Sequence, residues 1–160
     1  MNFMPVHTEI LVSSLSQREV VKRLDLMTRE VNYLDYEEYN HKQKFNGKVK
    51  LDSFHLSLKG DKADTFLPLI TGKIESTHQG SILFISYSLF PGAIFFLYFW
   101  LAITMLMGMY FTFLEDNLLF GTISLLIGLA NMAFAWHHFS RKVKKSQKIF
   151  HKMLDLQNKD

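Results

Sequence analysis

Cysteine is absent from the 160 residues. Disulfide scaffolds, thiolate zinc sites, iron–sulfur clusters and cysteine nucleophiles are excluded together. Charge is missing over two long stretches: no Asp, Glu, Lys or Arg occurs from Ser81 to Leu114, or from Asn117 to Ser140. There is no glycine-rich phosphate loop and no Gly-x-Ser-x-Gly elbow, so nucleotide hydrolysis and serine-hydrolase chemistry have no local signature. Met1 to Val12 has no basic start and no long apolar core, and it carries Glu9, so it does not read as a secretory signal. The length allows one ordinary domain, or a smaller one with a membrane segment, and excludes a large multidomain enzyme or a many-pass transporter.

The two uncharged stretches are the strongest positive signal. A bilayer core of roughly 30 Å is crossed by about 20 apolar helical residues. Residues 91–114 and 118–139 each meet that length. Pro91 suits the first turn of a helix, where a missing N–H costs nothing. Glu115-Asp116-Asn117 leaves room only for a tight turn between antiparallel helices, so residues 91–139 read as a transmembrane hairpin. Charge sets its direction. Residues 1–80 are balanced, the connector is acidic, and the last twenty residues carry seven Lys or Arg against two Asp. Positive residues stay on the cytoplasmic side, which predicts two spans of a cytoplasmic (inner) membrane with both termini cytoplasmic. Tyr110, Phe111 and Phe113 near the outer end, and Trp136, His137 and His138 near the inner end, fit interfacial anchoring.

In lipid, helices associate through close packing and polar contacts, because apolar burial gains nothing there. The second span sets Gly121, Ser124, Gly128, Asn131 and Ala135 at steps of three, four, three and four. The first offers Thr104, Gly108 and Thr112 at steps of four. These faces are expected to meet within the hairpin or to pair between copies, and Asn131 needs a hydrogen-bonding partner.

Residues 1–90 read as a cytoplasmic α/β head. Thr8 to Ser13 suits a short strand. Ser16 with Glu19 fits a capping box, and Val20, Leu24, Met27 and Val31 then line one side of a helix. Residues 37–42 are polar and suit a short helical extension or a loop. From Phe45 the period changes to two: Phe45–Leu51, Phe54–Leu58, Phe66–Glu75 and Ser81–Leu89 read as four strands in an antiparallel meander. Pro68 suggests an edge or a bulge. The expected fold class is thus an α+β membrane protein: a small antiparallel β-meander with one covering helix, a two-helix transmembrane hairpin, and a basic C-terminal amphipathic helix over residues 140–160. Val143, Ile149, Phe150, Met153 and Leu154 form the apolar side of that last helix, which either lies on the membrane or folds back onto the sheet. Arg141, Lys142, Lys144, Lys145 and Lys148 are placed to meet anionic lipid headgroups, each contributing about 1 kcal/mol near such a surface.

Seven histidines prompt a search for metal sites. Glu38-x-x-His41 has di-iron spacing but no second copy, and the adjacent His137 and His138 point to different helix faces. No metal or other cofactor is expected. His138 beside Lys142, and His151 beside Lys152, read as interfacial cations. Asp61 and Asp64 flank a turn. The balanced charge of the head presents no basic stripe for nucleic acid.

Phe45-Asn46-Gly47-Lys48-Val49, Phe66-Leu67-Pro68-Leu69-Ile70-Thr71-Gly72-Lys73-Ile74, Gly80-Ser81 and the Pro91 that opens the hairpin resemble a group of small uncharacterised bacterial membrane proteins with two transmembrane helices. That resemblance covers residues 45–114 and implies no activity. The order strand, helix, strands, hairpin, basic helix also resembles a helix-grip, lipid-binding-type domain with a hairpin inserted before its last helix. The expected function is that of a non-enzymatic inner-membrane protein whose head binds a protein partner or an amphiphilic ligand at the bilayer. Two alternatives are an oligomerising effector or small pore using the Gly121/Gly128/Asn131 face, and an enzyme acting on lipid through His55 or His78.

Overall fold

The computed structural model describes residues 6–29, 43–59 and 66–154. Strand β1 (His7–Ser13) leads to helix α1 (Gln17–Met27) and the two-residue strand β2 (Thr28–Arg29). Strands β3 (Phe45–Val49), β4 (Ser53–Leu58), β5 (Pro68–Thr77) and β6 (Gly80–Leu89) follow, then helices α2 (Pro91–Phe113) and α3 (Leu118–Met153). All six strands form one sheet in the order β1-β6-β5-β4-β3-β2.

The four-strand antiparallel run from β3 to β6 is present, but the sheet is larger and mixed. β1 returns to pair with β6, His7 opposite Tyr87 and Ser13 opposite Ser81. At the far edge β2 runs parallel to β3. The helix expected to continue to Val31 stops at Met27. Thr28 is extended, with φ −107° and ψ 139°, and its backbone N–H donates to Asp25 O. Its hydroxyl donates to Leu24 O at 2.7 Å. A β-branched residue whose backbone fits a strand, beside an open sheet edge at Phe45, gains more as ladder than as helix. Val31, the 37–42 stretch with Glu38 and His41, Asp61, Asp64 and the end of the tail fall outside the described residues.

Local signals explain the ends of the elements. Ser16 caps α1, its Oγ accepting from Glu19 N at 3.3 Å. The Glu19 carboxylate itself lies 3.6 Å from Arg23. Pro68 is the first residue of β5, where a missing donor is tolerated even in a central strand. The β5–β6 hairpin turns at Gly80, whose φ of +141° favours glycine and whose Cβ would strike Ser13 O.

Alternation places Phe54, Leu56, Leu58, Ile70, Ile74, Leu83, Ile85, Tyr87 and Leu89 on one buried face. Val20 and Leu24 of α1 cover part of it, with Gln17 Nε2 donating to the carbonyls of Leu51 and Ile74 at 3.0 and 3.1 Å. The remainder is covered by α3. This helix runs 36 residues without a break, about 54 Å at ~1.5 Å per residue. Its last four turns bury Val143, Ser146, Phe150 and Met153 against the sheet. Phe150 is fully buried, its ring 5.1 Å from Phe45 and 5.8 Å from Phe54. Of the two placements open for the basic helix, the structure has the one on the sheet. Arg23 Nη1 donates to Met153 O at 2.9 Å, a cation where the helix dipole is negative.

No linker separates the sheet from the long helices. β6 ends at Leu89, Phe90 is the N-cap residue and Pro91 opens α2. The α2–α3 turn uses a left-handed Asp116, φ 51°, and Asn117 Oδ1 accepts from Phe120 N at 3.2 Å. Both helices are long and apolar enough to cross a membrane.

Candidate functional site

Three features of the described residues deserve comparison as sites: the helix pair, a polar cluster on one flank of α3, and a groove on the other.

Within the helix pair, threonines of α2 rest on glycines of α3. A Cβ on Gly121 would overlap the Thr112 hydroxyl, and one on Gly128 would overlap that of Thr104. A Cβ on Gly108 would come within 3.3 Å of Leu125 Cγ. Both hydroxyls are satisfied inside α2: Thr104 donates to Leu101 O at 2.9 Å and Thr112 to Gly108 O at 2.8 Å. Missing side chains on α3 therefore let the two backbones approach, as small-residue contacts between apolar helices do. Ser124 and Asn131 are half-buried, and Ala135 is buried in the main core. Of the stripe, Gly121 and Gly128 meet Thr112 and Thr104 within one hairpin. The opposite faces present Phe95, Phe113 and Leu129 at 71, 77 and 62% exposure.

The polar cluster gathers around Glu9. β1 alternates so that Glu9 shares the inward side with Leu11 and Ser13, and a carboxylate there needs partners. Tyr87 Oη donates to its Oε2 at 3.2 Å, Gln147 Nε2 to the same oxygen at 3.1 Å, and His151 Nε2 lies 2.6 Å from Oε1. Gln147 Nε2 is also 3.0 Å from His7 Nε2; an amide donor there assigns the lone pair to that ring nitrogen. Burial first, then the charge of Glu9 and its hydrogen bond, hold the Tyr87 phenol well above the ordinary range. His151, read from sequence as an interfacial cation, instead faces a carboxylate 142 positions away. The cluster joins β1 to α3. None of its five residues lines the groove described next.

That groove, of about 580 Å³, lies between α3 and the β2/β3 edge. Met27, Ile149 and Met153 give it an apolar floor, and Lys44, Lys145, Lys148 and Lys152 surround it. Its outer wall is fixed by Lys44 N donating to Met27 O at 2.8 Å and Lys59 N donating to Lys44 O at 2.8 Å. Of the residues expected to meet lipid headgroups, Arg141, Lys144, Lys145 and Lys148 are exposed and Lys142 is half-buried; Lys145 and Lys148 belong to the groove.

The two histidines considered for lipid chemistry are not brought together. His55 is exposed opposite Thr71 in the middle of the sheet. His78 is exposed in the β5–β6 turn, seven strand positions beyond Thr71 or roughly 23 Å along the strand. His138 stacks on Phe134 at 5.9 Å and meets the edge of Phe66 at 6.4 Å. Among the described residues no group of three His, Asp or Glu could hold a metal ion. Comparison with protein-family models, with curated proteins and with solved structures returns no match to the chain.

Proposed function

We propose that this is a non-enzymatic two-span protein of a bacterial inner membrane, whose cytoplasmic head binds an amphiphilic ligand at the bilayer surface. One observation carries the reading. The helix that would cross the bilayer is the same unbroken helix that fills the sheet, with Phe139 through Phe150 continuing from the apolar stretch into the core. Such a helix holds the head directly at the lipid surface and leaves it no freedom to leave.

Further support comes from the exposed apolar exterior of α2 and α3, which needs a non-aqueous cover. Length agrees as well: 23 residues of α2 give about 34 Å, matched to a core of roughly 30 Å with slight tilt. The turn at residues 115–117 carries no Lys or Arg while a basic stretch follows Phe139, which supports a cytoplasmic head and tail. The helix-grip likeness gains from β1 lying beside β6 and from α3 being touched by both flanks of the sheet, β1 through Glu9 and β3 through Phe45. In this chain Phe150, Phe45 and Phe54 occupy the middle of that grip, so a ligand is received at the flank.

Alkaline extraction of membranes from cells expressing the full chain tests the anchor. The protein is expected to stay with the lipid pellet and to need detergent for monodispersity. A monodisperse, detergent-free protein in the supernatant would overturn the reading.

A further inference from the structure

The geometry points to a ligand class for the groove between α3 and the β2/β3 edge: a free single-chain amphiphile with a carboxylate head, of the long-chain fatty-acid type. This inference rests on the proposed membrane-anchored binding head and deepens it.

Charge and shape agree on that class. Lys145, Lys148 and Lys152 recur along α3 at steps of three and four, which places them on one helix face. Ile149 sits among them, and Lys44 stands on the facing wall. Among the described residues the lining holds four ammonium groups and no carboxylate, which selects an anion. Ammonium groups on flexible stems suit a carboxylate at any of several depths, without the fixed fork that an arginine site would impose. Met27, Ile149 and Met153 beneath them select an apolar tail, and methionine adapts to an unbranched chain of variable length. The volume is within the roughly 300–1,000 Å³ of small-ligand pockets, which suits one acyl chain rather than two.

Position separates a free amphiphile from a bilayer phospholipid. Lys152 lies twelve residues beyond Ser140, about 18 Å along the helix. The headgroup layer adds only about 5–7 Å to each side of the hydrocarbon core. Even at a tilt of about 40° the far end of the groove stays roughly 14 Å below the apolar stretch. A phospholipid with its tails in the bilayer reaches only the Lys145 end. An occupant of the whole groove has left the bilayer, as a single-chain carboxylate does readily.

The test uses the full chain in zwitterionic phosphatidylcholine nanodiscs with three photoactivatable probes: a diazirine-bearing palmitate, the trimethylammonium analogue of equal length, and a diazirine-bearing phosphatidylglycerol. Palmitate is expected to crosslink to Met27, Ile149 or Met153, in competition with unlabelled palmitate. The double variant Lys148→Glu/Lys152→Glu should reduce that crosslinking at least tenfold, and the milder Lys148→Gln/Lys152→Gln should reduce it severalfold. Lys22→Glu, an exposed change on α1, should leave it unchanged. Equal labelling by the ammonium analogue, groove labelling by phosphatidylglycerol alone, or palmitate labelling confined to residues 91–139 would each overturn the assignment. Labelling of α2 by phosphatidylglycerol reads the membrane anchor independently, so loss of the ligand and loss of the anchor give different patterns.

Discussion

Replacing Phe150 with alanine tests whether the basic end of α3 belongs to the sheet or to the lipid surface. The ring is fully buried and packs on Phe45 at 5.1 Å and on Phe54 at 5.8 Å. Truncating such a side chain costs about 3–5 kcal/mol, from lost transfer energy and the cavity left behind. Each aromatic contact adds about 0.5–1.5 kcal/mol beyond area alone, which puts Phe150→Ala in the upper part of that range. For a head of this size about 1 kcal/mol shifts the melting temperature by roughly 4–8 °C, so a fall of at least ~15 °C is expected. The assay is thermal unfolding in nanodiscs, followed by hydrogen exchange of the β3 and β4 amides so that the head is read separately from the helix pair. Ile149→Ala, one position along and only half-buried, should cost much less. Were the helix instead lying on lipid, Phe150→Ala would loosen membrane contact and leave the sheet's exchange unchanged. A shift below about 3 °C with protected β3 and β4 amides would refute the packing argument.

Other expectations concern the helix pair, the cap at the sheet turn and the Glu9 cluster. Gly128→Val forces a side chain onto Thr104 and should destabilise the helix pair by about 1–3 kcal/mol; the outward-facing Ala130→Val should be neutral, and denaturant-induced separation of the two helices in detergent measures both. Gly80→Ala places a Cβ against Ser13 O at a φ of +141°, and a loss of about 1–3 kcal/mol is expected in chemical denaturation. The Tyr87 phenol is raised above its usual 10.0, so above about pH 10 the unfolded chain gives up a proton that the folded chain keeps. Stability from this group is therefore complete below that pH and falls as pH rises through the window; Tyr87→Phe should flatten the alkaline limb of a stability–pH profile, and an unchanged limb would contradict the assignment.

Periodic features were legible before the structure. Alternation from Phe45 to Leu89 placed four strands, the Ser16–Glu19 spacing placed the start of α1, and the uncharged stretches set both ends of α2 and the start of α3 to within a residue, while α3 runs on through the basic segment to Met153. What was not legible depends on residues distant in sequence. Nothing near Thr28 announces a parallel partner at Phe45, because a two-residue strand has no period. β1 could be seen as a strand, but its place beside β6 is set by pairing across seventy residues. Glu9 on the inward side of an alternating strand was a readable sign that a partner must exist, and the Gln147/His151 spacing put two donors on one helix face; only the fold joined them. The groove had a weaker signal still. Its lysines looked like a membrane-orientation cluster, since the other wall is made by Met27 at the end of α1 and Lys44 just before β3, far from them in sequence.

The most direct test of the central claim is single-cysteine accessibility in intact cells, made clean by the absence of native cysteine. With Asp116→Cys in the helical turn and Lys144→Cys on the exposed side of α3, a membrane-impermeant maleimide added outside should label the first and spare the second until the membrane is opened. Labelling of the Asp116 position only from the cytoplasmic side, or equal labelling of both positions before lysis, would contradict a hairpin that crosses the bilayer with its head inside.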